Sequence, residues 1–371
     1  MTLRERILAV YRGETPDAVP YMLDLSHWFY HNRRMPWDLS QAYYEPEYAL
    51  IDYHKHMGAG FYLPNLGSFI EVRHADDVQA SVTKSDDGRA ITWTYETPLG
   101  TIRRTRTWEE QTYAWGIPEW AIKTEADLRV LGYALSRRTY VPRWERYNAW
   151  VDYVGETGVV CALSGYSAVG HLLNYWLGIA GTVYAMADWP DTVHEVVDAI
   201  NENNLACVDA LARSPAEIVI LGDNFSSDVQ PPSFFETWSK SFYVEAIRRL
   251  HNAGKWVAVH IDGRLRGALA MIRDAGADCA DAVTPAPMGD LDPEACRDEA
   301  GPEFILSGGV PPDVWLPSVE RAGFERVVRR WLELRRRSPR LIAAAGDQVP
   351  PGAVEDRIAI MRDLVEKHGR Y

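Results

Sequence analysis

The chain has 371 residues, with 39 Lys plus Arg against 52 Asp plus Glu, a formal net charge of −13. A chain this long can bury a full core without disulfide or metal staples, and one so acidic is a poor holder of polyanions, which disfavours nucleic acid and anionic membrane as partners. The four cysteines, Cys161, Cys207, Cys279 and Cys296, form no CxxC pair and no zinc-finger spacing, and they are too scattered for a disulfide framework, as expected of a protein from the reducing cytoplasm.

The opening MTLRERILAVYRGE is charged and amphipathic, with no signal-peptide core. Leu3, Ile7, Leu8 and Tyr11 share a helical face there, which predicts a packing helix. Apolar runs predict strands at 19–24 (VPYMLD) and 60–65 (GFYLPN). The stretch 70–117 then alternates apolar and polar residues, with turn signals at Asp87-Gly88 and Leu99-Gly100, and predicts an antiparallel β insertion covering one mouth of the fold. Further on, predicted strands at 159–164, 217–223, 256–262, 279–284, 304–309 and 341–347 alternate with predicted helices at 183–213, 240–253, 264–275, 291–299, 317–336 and 354–367. Apolar strands alternating with helices predict a parallel sheet, and eight such strands predict an α/β fold of the (β/α)8 TIM-barrel type, one domain over residues 1–371. A doubly wound open sheet is the alternative. No GxGxxG or GxxxxGK[ST] element follows a strand, so nothing supports a dinucleotide or P-loop site. No apolar run approaches the roughly 20 residues of a membrane span.

In such a barrel the chemistry sits at the carboxyl ends of the strands. Those ends carry Asp24, Asn65, Ser164, Asp223 with Asn224, His260 with Asp262, Thr284, Ser307 and Asp347. Helix capping accounts for any one of them, but not readily for the whole set. In His260-Ile261-Asp262, residues i and i+2 share a strand face. With Asp347, they make a His/Asp/Asp set able to hold one divalent cation; alternatively Asp262 orients His260 as a general acid or base. Gly263 next to them would let a ligand approach the backbone. Asp223 is a candidate base, substrate-binding group or ligand. After the first strand, Asp24, Ser26, His27, Trp28 and His31 would line a pocket for a flat or methylated ligand, or pack a loop.

These residues carry a family resemblance. RERILAVYRGETPDAVPYM resembles the N-terminal signature of the uroporphyrinogen decarboxylase superfamily, including its methylcobamide:coenzyme M methyltransferase branch. LGDNFSSDVQPPSFFETWSKSFYVEAIRRLHNAGKWVAVHIDGRL, GADCADAVTPAPMGDLDPEACRDEAGPEFILSGGVPP and AAGDQVPPGAVEDRIAIM are similar to its later βα units, and YETPLGTIRRTRTW looks like its less characterised methyltransferase-like members. The arginine-rich MRQAGR loop of the decarboxylases is missing: YMLDLSHWFYHNRRMPW keeps only Arg33 and Arg34. His260, Asp262 and Asp347 stand where the methyltransferases bind zinc through H-x-C and a late cysteine, so both thiolates are replaced by carboxylates, a harder donor set suited to zinc, iron or manganese.

The resemblance implies a methyltransferase-like enzyme that moves a methyl group between a small methylated compound and a corrinoid carried by a partner protein. His260, Asp262 and Asp347 would hold a divalent metal or a protonated substrate group. Asp223 and His260 would be catalytic. Asp24, Trp28, Tyr62, Tyr166 and Asn224 would bind substrate. Two alternatives stand beside it. One is a cofactor-independent decarboxylase (a lyase) using Asp24 or Asp223, with Arg33 or Arg34 on the carboxylate; the other is a non-catalytic binding homologue. The aromatic content is compatible with a homodimer.

Overall fold

The computed structural model describes residues 1–33, 44–63 and 69–371. Twelve strands are present among them: β1 (Ile70–His74), β2 (Gln79–Lys84), β3 (Ala90–Thr97), β4 (Gly100–Glu109), β5 (Ala114–Gly116), β6 (Arg138–Pro142), β7 (Ala162–Leu163), β8 (Ile218–Phe225), β9 (Trp256–Ile261), β10 (Cys279–Val283), β11 (Ile305–Gly309) and β12 (Leu341–Ala344). β7 to β12 form a six-stranded parallel sheet in chain order, with helices between consecutive strands. These are the apolar runs of the sequence, and they are buried because helices cover them. Beyond the two sheet edges, residues 19–24 and 60–63 contribute isolated parallel bridges rather than extended strands: Tyr21 with Ala343, Met22 with Gly60, and Phe61 with Gly158. Arg34 and Asn65 lie outside the described residues.

Alternation along the strands sends every second residue to one face. Ile218, Ile220, Ala258, Cys279, Ile305 and Ile342 thereby meet Met22, Tyr62 and Cys161 in one apolar cluster. The N-terminal helix Leu3–Tyr11 starts on a Thr2/Glu5 capping box and adds Ile7, Leu8, Val10 and Tyr11 to that cluster. Each such side chain contributes roughly 1.5–3 kcal/mol when fully buried. This is the packing helix expected from the sequence, with Leu3 only half-buried. All four cysteines are buried and free.

The insertion is antiparallel, but divided. β2–β5 form a four-stranded sheet with one hairpin turn at Asp87-Gly88, as expected, and the other at Pro98-Leu99, one residue before the expected Leu99-Gly100. β1 instead pairs with β6, a strand absent from the sequence reading. No local turn joins these two strands, so no short-range signal marks their pairing. The single helix expected at 183–213 is two helices, Gly178–Asp188 and Pro190–Ala212. Pro190 is the cause: it disfavours helical geometry at Trp189, which sits at φ −134°, ψ 51°, and is itself well suited to a helix N-terminus. Among the described residues, no helix is long and apolar enough to cross a membrane.

Candidate functional site

At the carboxyl ends of the parallel strands lies a cavity of about 550 Å³, lined by Asp24, Asn224, His260, Asp262, Asp347 and Gln348 from the parallel part, and by Arg106, Tyr113, Ala114 and Trp115 from the insertion. The insertion therefore covers this mouth, as its sequence position suggested. His27 ties the two parts together, its Nε2 lying 2.8 Å from the Tyr113 carbonyl.

His260 is the centre of the cavity's polar side. It occupies an inward position on β9, in register with Asp281 of β10. Its Nδ1 donates to Asp281 Oδ2 at 3.1 Å, and its Nε2 is 3.8 Å from Asp347 Oδ1. Burial opposes the imidazolium, but the hydrogen bond and charge of Asp281, then the charges of Asp347 and Asp262, outweigh it and raise His260 to about 9. Asp347 is pushed up to about 6, chiefly by burial, with His260 lowering it and Asp262 and Asp24 adding to the rise. The result is one imidazolium among carboxylates, with a second proton-active group beside it.

Asp281 was not singled out from the sequence, yet the signal was there. It is a lone acid inside an otherwise apolar strand, and a charge at 2% exposure needs a partner. Gln348 was also missed. Its Nε2 donates to Asp24 Oδ2 at 3.2 Å, while Ser26 donates to Asp24 Oδ1 through both its amide and its hydroxyl.

Asn224 holds the opposite side. Its φ of +48° is uncommon for a residue with a side chain, and it sits where the β8–β9 register slips between Leu221 and Phe225. The bulge aims its amide at the cavity, where Nδ2 donates to Asp262 Oδ2 at 3.4 Å and Oδ1 accepts from Tyr166 at 3.2 Å. Tyr166 is thus placed as a wall, edge-on to Tyr175.

Other candidates are not brought to this cavity. Asp223 points away from it: Oδ1 accepts the Ser167 amide and Oδ2 the Tyr243 hydroxyl at 2.9 Å, with burial raising its pKa. Trp28 packs on Tyr53 and donates to the Ala353 carbonyl. Tyr62 belongs to the apolar cluster below the cavity. Arg33 lies over Phe29 and Tyr53 at a separate cavity, not at the strand ends. Gly263 serves packing rather than a ligand, since a Cβ there would lie 2.7 Å from Ser226 Cβ, with φ at +135°.

His260, Asp262 and Asp347, the donors that the resemblance implies for a metal, all line this cavity, with His260 Nε2 and Asp347 Oδ1 3.8 Å apart. Among the described residues, no three His, Cys, Asp or Glu side chains are arranged to hold a metal ion. One nitrogen of His260 is engaged by Asp281, the other is at ion-pair distance from Asp347, and Asp262 is exposed beside the Asn224 amide.

Comparison with known proteins supports the architecture. The solved structure of a methyltransferase from Methanosarcina mazei superposes with a TM-score of 0.65, covering 99% of each chain at 14% identity, a likeness of fold. A GH5-4 broad specificity endoglucanase from an uncultured bacterium gives only 0.42, at 10% identity over 97% of this chain and 95% of that one. No curated protein matches the sequence. The family described as Uroporphyrinogen decarboxylase (URO-D) matches residues 168–368, more than half of the chain and the part that contains Asn224, His260, Asp262, Asp281 and Asp347, so this protein belongs to the uroporphyrinogen decarboxylase family.

Proposed function

We propose that the protein is a methyltransferase-like enzyme, taking a methyl group from a small methylated compound, with His260 as the proton donor to the group left behind. The observation that carries this reading is His260 itself, held between Asp281 and Asp347 on the polar side of a roofed cavity at the strand ends. We read the six-stranded sheet together with residues 19–24 and 60–63 as a ring of eight, a (β/α)8 barrel. The bridges from β12 to Tyr21, from Met22 to Gly60 and from Phe61 to Gly158 support that reading.

A cavity of about 550 Å³ suits a small molecule, so a corrin ring would stay outside it, on its partner. A corrinoid carried by that partner would supply the methyl-accepting nucleophile. Within the cavity, the heteroatom bearing the methyl lies against His260 Nε2. As its bond to the methyl carbon breaks, the heteroatom keeps the electron pair and takes the Nε2 proton, leaving as a neutral molecule. Asp281 holds the ring by Nδ1 and favours its charged form before transfer. Tyr166 and Asn224 form the facing wall.

Decarboxylation is less well supported. Three carboxylates, Asp24, Asp262 and Asp347, crowd the reacting end and would repel a substrate carboxylate there, and Arg33 is elsewhere. The test is transfer of a labelled methyl group from a panel of methoxylated and N-methylated donors to added cob(I)alamin, kept reduced by a chemical reductant. Label transfer that falls at least about 100-fold in His260→Gln is expected. Carbon dioxide release from a carboxylic acid with no cobalamin present would overturn the reading.

A further inference from the structure

A second cavity, of about 450 Å³, adjoins the first and shares Arg106, Leu163, Gly165, Tyr166 and Tyr175 with it. Its chemistry is opposite to that of the His260 mouth. It is lined by Arg104, Arg106, Arg138 and His171, with no aspartate or glutamate among its lining residues, in a protein of net charge −13.

The register of the insertion explains how the cations arrive. Ile102, Arg104, Arg106 and Trp108 are i, i+2 neighbours on β4, so they share one face of the sheet. Trp93 and Ile91 stand opposite Arg104 and Arg106 on β3. Arg104 lies 4.6 Å from the centre of the Trp93 ring, 4.7 Å from Tyr175 and 5.1 Å from Trp176; Arg106 lies 4.7 Å from Tyr175. Ring faces orient a guanidinium, but they do not neutralise it.

Among the described residues, neither guanidinium has a hydrogen bond or an ion pair, and the Nε of each is buried without a partner. Burial and the neighbouring Arg106 pull Arg104 down to about 10. His171 is held neutral by burial and by Arg138 and Arg104, with its Nδ1 also unpartnered. Arg138 differs, because it donates to Asn204 Oδ1 at 2.7 Å. Two unpaired cations in an aromatic pocket are costly to the free protein, and an anion is the ligand that offsets the cost.

We infer that Arg104 and Arg106 form an anion subsite, which takes the carboxylate of a flat aromatic molecule stacked among Trp93, Tyr175 and Trp176. Guanidinium groups match carboxylate geometry with paired N–H donors. The two cavities share Arg106, Tyr166 and Tyr175, so a molecule seated by its carboxylate here lies beside the His260 mouth. The assignment stands on the cavity alone and holds whatever reaction His260 supports.

Isothermal titration with benzoate, 4-methoxybenzoate and the neutral benzamide tests it on the full chain. Benzoate and 4-methoxybenzoate should bind saturably, and benzamide at least ~10-fold more weakly. Arg104→Gln and Arg106→Gln should each weaken benzoate by ~10-fold or more and leave benzamide unchanged. His260→Gln should bind benzoate as the wild type does, which separates this site from the methyl-transfer reading. Equal affinity for benzoate and benzamide would overturn the inference, as would benzoate affinity untouched by both arginine variants. The wild-type comparison decides even if a variant fails to fold.

Discussion

Asp281→Asn isolates the source of the charge on His260. Asp281 is 2% exposed and its Oδ2 is 3.1 Å from His260 Nδ1. Burial alone would lower the imidazole; the bond and charge of Asp281 lead the effects that bring it to about 9. Asparagine keeps a hydrogen-bond acceptor but removes the charge, so the ring should titrate near or below the ordinary 6.5. The gap between 9 and 6.5 corresponds to about 3 kcal/mol of preference for the charged ring. At pH 7 the wild-type ring is then ~99% protonated, and the variant less than about half. The direction with pH follows from linkage. A histidine raised in the folded state contributes stability that is complete below about 6.5 and is lost as pH rises through about 9. The stability difference between wild type and Asp281→Asn should therefore be largest near pH 6 and small near pH 10. Titration of labelled histidine by NMR, with urea unfolding at both ends of that range, measures it. A His260 that still titrates near 9 in Asp281→Asn would show that its charge has another source.

Gly263→Ala should lose about 2 kcal/mol or more, because its Cβ would clash with Ser226 at a φ of +135°; an unchanged urea midpoint would contradict this. Asp223→Asn should cost about 1–3 kcal/mol in urea unfolding by weakening its bonds to Ser167 and Tyr243, with the donor KM unchanged; a raised KM at full stability would instead place Asp223 at the substrate. Dialysis against a chelator should leave Tm and methyl transfer unchanged; activity lost and then restored by zinc, iron or manganese would show that the His260, Asp262 and Asp347 donors do converge on a metal.

The parallel part of the fold was legible because its signal is local. Buried parallel strands are short apolar runs, and VPYMLD through LIAAAGD all stand in or beside the parallel sheet. The break at Trp189 was readable from Pro190 and was overlooked. The β1–β6 pair was not readable, since register between distant strands depends on tertiary packing. Of the site, the strand-end rule brought Asp24, Asn224, His260, Asp262 and Asp347 to one cavity. It failed for Asp223 because a bulge at Asn224 turns the end of β8, so the neighbouring side chain serves the cavity and Asp223 turns toward Ser167. The rule also says nothing of Arg104 and Arg106, which reach the cavities from an inserted sheet whose packing is long-range.

The proposed function requires His260 to donate a proton during methyl transfer at this mouth. The direct measurement is single-turnover transfer of labelled methyl to added, chemically reduced cob(I)alamin by wild type, His260→Gln and Asp281→Asn, followed across pH. Wild-type transfer should fall as pH rises through about 9, the Asp281→Asn limb should move to lower pH, and His260→Gln should lose the limb together with at least about 100-fold in rate. Transfer by His260→Gln at the wild-type rate, with the same pH limb, would contradict it.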